Sequence, residues 1–159
     1  MENLVYRKAE NEDINNLVKL RLEYVKADYG EIDAETETTL RAQLNEYFPA
    51  HLGKDIFGFL CFDGEKAVSM VILYIMDKPA FVTTPSGRTG TFLSVVTLPE
   101  YRRKGIAGKL VKMALEKAKQ LGAEFVELQA TADGAPLYKE IGFKDKESHY
   151  TPMIYKFEK

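Results

Sequence analysis

The chain has one cysteine, Cys61, which excludes an internal disulfide and leaves no thiolate set for zinc. Its two histidines, His51 and His149, lie far apart in sequence and have no clear third ligand, so no metal is expected. No run approaches ~18 uninterrupted apolar residues, which argues against a spanning helix. Met1 to Arg7 shows no basic flank followed by an apolar stretch, so neither a signal peptide nor a membrane partner is expected, and the expected location is cytoplasmic. What is present is ordinary for a globular protein: 45% hydrophobic and 29% charged residues, which excludes a wholly disordered chain. At 159 residues the expectation is a single domain spanning 1–159, one that buries roughly 70% of the surface of its unfolded chain.

The net charge of -2 says little, but its distribution is polarised. Between Asp28 and Glu46 six acids (Asp28, Glu31, Asp33, Glu35, Glu37 and Glu46) face Arg41 alone. Between Arg102 and Lys119 seven bases stand against Glu116. Such a chain can hold a cation at one place and an anion at another, although solvated helix faces would give the same pattern.

Leu4–Ala9 reads as a first strand. Asn11, Glu12 and Asp13 then supply capping side chains for a helix carrying Ile14, Leu17, Val18 and Val25. A second helix is predicted over Ala34–Leu52, with Pro49 expected to break or kink its last turn. Ile56–Phe62 and Ala67–Met76 read as a hairpin about Asp63-Gly64. Pro79–Gly90 reads as a loop, and the β-branched Thr91–Thr97 as a central strand. In Ile106–Leu121, residues Ile106, Ala107, Leu110, Val111, Ala114, Ala118 and Leu121 fall within an arc of about 140°, the clearest helix in the chain. Strands over Phe125–Ala130 and Met153–Phe157 and a helix over Pro136–Ile141 complete the order. The sum is an α/β domain of the α+β type: a mixed, mostly antiparallel twisted sheet flanked by helices.

The chemistry is concentrated in Thr97-Leu98-Pro99-Glu100-Tyr101-Arg102-Arg103-Lys104-Gly105-Ile106-Ala107-Gly108. A strand ends, a basic turn with glycine follows, and a strongly amphipathic helix begins. The first turn of a helix has unpaired N–H groups and partial positive charge. Gly105 allows close approach to the backbone, Ala107 and Gly108 add little bulk, Arg103 and Lys104 add charge, and Arg102 is placed to anchor the turn. The pattern fits a cradle for a phosphate or pyrophosphate, and equally a glycine-containing helix start with nothing bound. It is not a Walker loop, because Gly108-Lys109 is followed by Leu110 and not by Ser or Thr. Nor is it a dinucleotide fingerprint, for which Gly105 and Gly108 are too few.

Arg102-Arg103-Lys104-Gly105-Ile106-Ala107 resembles the signature Arg/Gln-x-x-Gly-x-Gly/Ala of the GNAT N-acetyltransferase superfamily. Thr97-x-Pro99-x-x-Arg102 is similar to that family's strand exit, and Leu137-Tyr138-Lys139-Glu140-Ile141-Gly142-Phe143 to its Leu-Tyr-x-x-x-Gly-Phe. The resemblance implies an acetyltransferase that binds the pyrophosphate of acetyl-CoA on the N–H groups of Arg103, Lys104, Gly105, Ile106, Ala107 and Gly108. It implies that Val95, Val96 and Thr97 pair with the pantetheine arm, and that one of their N–H groups polarises the thioester carbonyl. Tyr138 would be the general acid toward the leaving thiolate. A phenol has a pKa of about 10 and a thiol about 8.5, so that transfer is uphill by ~2 kcal/mol unless nearby positive charge corrects it.

Where the family often carries Asn seven residues before the tyrosine, this chain has the shorter Thr131, although Ala130 to Tyr138 is similar to a bacterial subset with Ala-Thr-x-x-Gly-x-Pro-Leu-Tyr. Glu23, Glu100 and Glu127 are all available as a general base, and spacing selects none. The acceptor implied is a small-molecule or peptide amine. The Asp28–Glu46 acids favour a cationic one, while Arg88 in the loop after Asp77 equally favours an acidic one. The basic helix is explained by the phosphates of CoA, so no nucleic acid is expected, and a homodimer is common in such proteins. Two other readings keep the cradle: a CoA-binding sensor or scaffold without turnover, and an acyltransferase that uses a longer acyl-CoA or a protein N-terminus.

Overall fold

In the computed structural model, which describes residues 3–159, the elements follow in the order β1 (Leu4–Lys8), α1 (Ile14–Tyr29), α2 (Ala34–His51), β2 (Ile56–Asp63), β3 (Lys66–Asp77), β4 (Arg88–Thr97), α3 (Ile106–Gln120), β5 (Val126–Glu127) and α4 (Ala135–Ile141), with 3₁₀ turns at Asn11–Asp13 and Pro99–Tyr101. The five strands form one sheet in sequence order. β1 to β4 pair antiparallel and β5 joins β4 in parallel, so the sheet is mixed and mostly antiparallel. The chain divides into two compact units, one ending at Gln129 and the other Ala130–Lys159.

In the first unit α1 and α3 cover opposite faces of the sheet. A Cβ on Gly58 would meet Ala9 Cβ at 3.0 Å and Leu17 Cδ2 at 3.1 Å, so glycine lets α1 lie close against β2. Phe57, one residue earlier and on the other face, lies beneath Lys117 of α3. With both faces covered, Ile56–Phe62 is buried without interruption, as is Ala67–Leu73. α3 buries Ile106, Leu110, Val111, Ala114 and Ala118, part of the apolar arc read from its sequence. Gly122 ends it with φ 82°.

Several boundaries differ from the sequence expectation for identifiable reasons. α2 runs past Pro49 to His51. Only one helical N–H is missing there, and the Leu52 N–H still reaches the Phe48 carbonyl at 2.8 Å. β4 begins at Arg88, inside the expected Pro79–Gly90 loop. Gly90 is a packing glycine, since a Cβ there would meet Val126 Cγ2 at 3.1 Å and Leu73 Cδ1 at 3.2 Å. Asp13 does not cap α1; it accepts from Arg7 Nη1 at 2.7 Å, Arg7 Nη2 at 2.8 Å and the Glu10 N–H at 2.8 Å.

The expected strand Phe125–Ala130 shrinks to Val126–Glu127, the two residues that pair with β4, at Gly90 and Thr91. In the second unit the expected strand Met153–Phe157 is not a strand. Met153, Ile154, Tyr155 and Phe157 are exposed and have no ladder to join, and β-propensity expresses itself only on a paired surface.

Candidate active site

β4 is irregular where the chemistry was expected. Ile72 pairs with Ser94 but Leu73 pairs with Phe92, so Leu93 is an extra residue with no partner on β3. After the bulge the Leu98 N–H bonds the Val68 carbonyl at 2.9 Å, and the Val96 carbonyl accepts from Ser69 Oγ at 2.9 Å. Antiparallel alternation then turns the backbone groups of Val96 toward β3 and those of Val95 and Thr97 away from it. On that outer side β5 has already left, its last pair being Thr91 with Glu127. Among the described residues of the first unit no strand pairs with Val95 or Thr97 on that side, so they lie on an open strand edge, whereas Val96 is engaged within the sheet.

The edge runs directly into the cradle. Arg102 Nε donates to the Thr97 carbonyl at 2.9 Å, so Arg102 anchors the turn. Tyr101 Oη donates to Asp63 Oδ2 at 2.5 Å and Lys66 Nζ meets Glu100 Oε1 at 3.1 Å, tying the same turn to the β2–β3 hairpin. The Asp63 carboxylate beside the Tyr101 phenol raises its pKa above the ordinary value, so it stays a donor. Arg103 has φ 61° and Gly105 φ 80°. A left-handed arginine costs roughly 1–2 kcal/mol, and such strain concentrates at functional sites. α3 begins on Gly105, which has no side chain to cap it, so the first-turn N–H groups of Ile106, Ala107 and Gly108 keep their hydrogen-bonding capacity. A Cβ on Gly105 would meet nothing within 4 Å, so the space before the helix is open. Arg103 and Lys104 are exposed at its rim.

Two cavities flank α1. One of about 390 Å³ is lined by Val25, Tyr29, Glu31, Ile32, Asp33, Thr36 and Leu40. Asp33 there caps α2 by accepting from the Thr36 N–H at 2.7 Å, and nearby Glu37 is paired with Lys26 at 2.6 Å. The acidic run is therefore partly committed to holding the helices. Arg88 is committed too: it binds Asp77 at 2.7 and 3.1 Å and the Leu121 carbonyl at 2.9 Å. The second cavity, about 210 Å³, borders the β4 bulge and is lined by Arg21, Gln43, Leu44, Tyr47, Phe48, Ile72, Leu93 and Ser94. Neither the bulge nor the Arg21 side of this cavity was apparent from sequence, where bulges leave no local pattern.

Of the candidate bases, Glu100 is held below the usual carboxylate range by its own backbone N–H and by Lys66, which weakens it as a base. Glu23 lies on α1 and Glu127 at the end of β5. Cys61 is fully buried in β2, and burial pushes its thiol upward.

In the second unit, Tyr138 lies in α4 with its ring edge-on to Phe143, centroids 5.7 Å apart. Thr131 precedes the helix: its Oγ1 accepts from the Gly134 N–H at 3.1 Å, and its carbonyl accepts from the Gly134 and Ala135 N–H groups. The Leu137–Phe143 motif is thus a short helix closed by Gly142 at φ 127°.

The model of the acetyltransferase (GNAT) family matches residues 18–143. Among solved structures, a predicted acetyltransferase from Clostridium acetobutylicum, solved with acetyl-CoA, is similar with a TM-score of 0.80 and 23% identity, covering 96% of each chain. A GCN5-related N-acetyltransferase from Ralstonia eutropha JMP134 follows with a TM-score of 0.77 and 21% identity, covering 95% of this chain and 99% of its own. An aminoglycoside N-acetyltransferase in complex with CoA has a TM-score of 0.71 and 14% identity, covering 97% and 94%. At these identities the likeness establishes the fold. A search of curated proteins found no significant match.

Proposed function

The chain belongs to the GNAT acetyltransferase family, and on that premise we propose that it transfers the acetyl group of acetyl-CoA to a primary amine by direct attack in a ternary complex. The observation that carries the reading is the open edge of β4 at Val95 and Thr97, leading into the uncapped start of α3. An extended thioester arm has backbone groups to pair with along that edge, and its pyrophosphate has the N–H groups of Arg103 to Gly108 at the end of it. The neighbours solved with acetyl-CoA and with CoA support the same co-substrate. The family match runs across both units, which supports taking residues 1–159 as one acetyltransferase domain.

In this reading the N–H of Val95 or Thr97 polarises the thioester carbonyl. Such a donor, aimed at charge that develops on the oxygen, contributes roughly 3 kcal/mol. The acceptor must lose a proton, since an alkyl ammonium with a pKa near 10.4 is nucleophilic in only about one molecule in a few thousand at neutral pH. Tyr138 gives a proton to the departing thiolate, and Thr131, whose hydroxyl already accepts from the Gly134 N–H, contacts the arm.

The test is free-thiol release from acetyl-CoA against a panel of primary amines, beside calorimetry of acetyl-CoA binding. Acceptor-dependent release is expected, and absence of binding would overturn the proposal. Tyr138→Phe should bind acetyl-CoA normally and lose at least about tenfold in turnover. Unchanged turnover would remove Tyr138 from the mechanism.

A further inference from the structure

Arg21 is a cation whose best recognition edge is unused. Its Nη1 donates to the Leu93 carbonyl at 2.6 Å and to Ser94 Oγ at 2.6 Å, which satisfies the residue that the β4 bulge leaves without a partner on β3. Its guanidinium lies over the Tyr24 ring, 5.1 Å from the centroid. Among the described residues no carboxylate pairs with it, and Nε and Nη2 donate to no protein group. The Nε–Nη2 side of a guanidinium is a two-pronged fork that matches a carboxylate.

The surroundings point the same way. The cavity that Arg21 lines contains no acidic side chain, so a bound anion would meet one cation, the Tyr47 hydroxyl, the Gln43 amide and four apolar side chains. Burial raises the Tyr47 pKa above the ordinary phenol value, so its hydroxyl remains a donor. At about 210 Å³ the cavity is smaller than the ~300–1,000 Å³ of drug-sized sites, which suits a small metabolite better than a peptide or an aminoglycoside. Leu93 and Ser94 form one of its walls, and the next residue, about 3.3 Å further along the strand, is Val95. A molecule held in this cavity therefore lies one strand residue from the part of β4 assigned to the thioester.

We propose that the acceptor is a small amine that also carries a carboxylate, an amino-acid-like molecule whose carboxylate is bound by the Arg21 fork with help from Tyr47. This rests on the acetyltransferase reading and narrows it. The Arg21 pocket selects the acceptor, and the more acidic cavity beside Glu31 and Asp33 does not.

The experiment compares α- and ω-amino acids with their primary amides and decarboxylated amines, and with polyamines, at fixed acetyl-CoA. Carboxylate-bearing amines are expected to be preferred, kcat/KM being at least tenfold above that of the matched amide. Arg21→Lys keeps a donor for the Leu93 carbonyl but loses the fork. It should raise KM for the amino acid at least tenfold while leaving the acetyl-CoA dissociation constant unchanged. Tyr47→Phe should raise that KM severalfold. Equal use of amides, preference for polyamines, or an Arg21→Lys loss that is the same for all acceptors would overturn the assignment. So would silence toward every amine with acetyl-CoA still bound, whereas failure to bind acetyl-CoA would strike the acetyltransferase reading itself. The wild-type comparison decides the matter even if Arg21→Lys fails to fold.

Discussion

Arg102 Nε lies 2.9 Å from the carbonyl oxygen of Thr97, five residues earlier. The last β4 residue on the open edge and the first basic residue of the α3 turn are thereby held as one piece. An arm lying along the edge and an anion lying in the turn meet a fixed spacing, and preorganisation of this kind lowers the cost of binding.

Replacing Arg102 by Met removes that tether. The bond is exposed, so the loss in folding stability should stay below about 1 kcal/mol, while acetyl-CoA affinity falls roughly three- to tenfold. Denaturant unfolding and calorimetry on the same variant separate the two effects. A stability loss with affinity intact would show that the tether serves only the fold.

Gly105→Ala tests the cradle. At φ 80° any side chain is strained, by roughly 1–2 kcal/mol, yet the new Cβ would touch nothing within 4 Å. The thermal midpoint should therefore fall only modestly, while the methyl group occupies space that the pyrophosphate needs and acetyl-CoA binding drops by more than tenfold. Unchanged affinity at the lowered midpoint would place the anion elsewhere.

Gly134 presses on Tyr138. Its φ is ordinary at -82°, but a Cβ would lie 3.2 Å from Tyr138 Cε2 and 3.3 Å from Thr131 Oγ1. Gly134→Ala should therefore shift the ring and loosen the Thr131–Gly134 hydrogen bond, lowering kcat severalfold with a smaller change in acetyl-CoA affinity. Steady-state kinetics beside Tyr138→Phe checks this. If the effect of Gly134→Ala runs through Tyr138 rather than Thr131, adding it to Tyr138→Phe should lower kcat no further.

Asp13 is buried, and the hydrogen bonds from Arg7 hold its carboxyl below the usual carboxylate range. Its folded pKa is lower than the ~3.9 of an unfolded chain. The stabilisation it contributes is therefore complete well above pH 4 and is lost as pH falls through the folded pKa. Asp13→Asn should cost about 1–3 kcal/mol at pH 7 in urea unfolding, the partial exposure of Arg7 keeping it within that range. The gap from wild type should close as the pH is lowered toward 2. A gap that is the same at both pH values would mean that charge is not what Asp13 contributes.

Most of the scaffold was legible because its signals are local. The apolar arc of α3, the Gly122 stop and the glycine of the Gly64 turn each express a preference of a few neighbouring residues. The turn at Arg102–Gly105 was legible for the same reason, since its glycine and bases stand next to a helix start. Gly90 was misread as loop because its reason for being glycine is Val126, far along the chain. Met153–Phe157 was misread because strand-forming residues become a strand only when another strand pairs with them.

From its sequence alone this protein was committed to an α+β sheet-and-helix scaffold, to an anion cradle at the start of α3 and to a family motif around Tyr138. Tertiary structure alone decided that β4 bulges at Leu93, that β5 departs after Glu127, that Val95 and Thr97 rather than Val96 face the open edge, and that Arg21 reaches Leu93 across 72 residues of sequence. The division is physical. Helix periodicity and backbone dihedral preferences are properties of adjacent residues, whereas strand register, an unpaired edge and an unused guanidinium fork exist only once distant segments have taken their places.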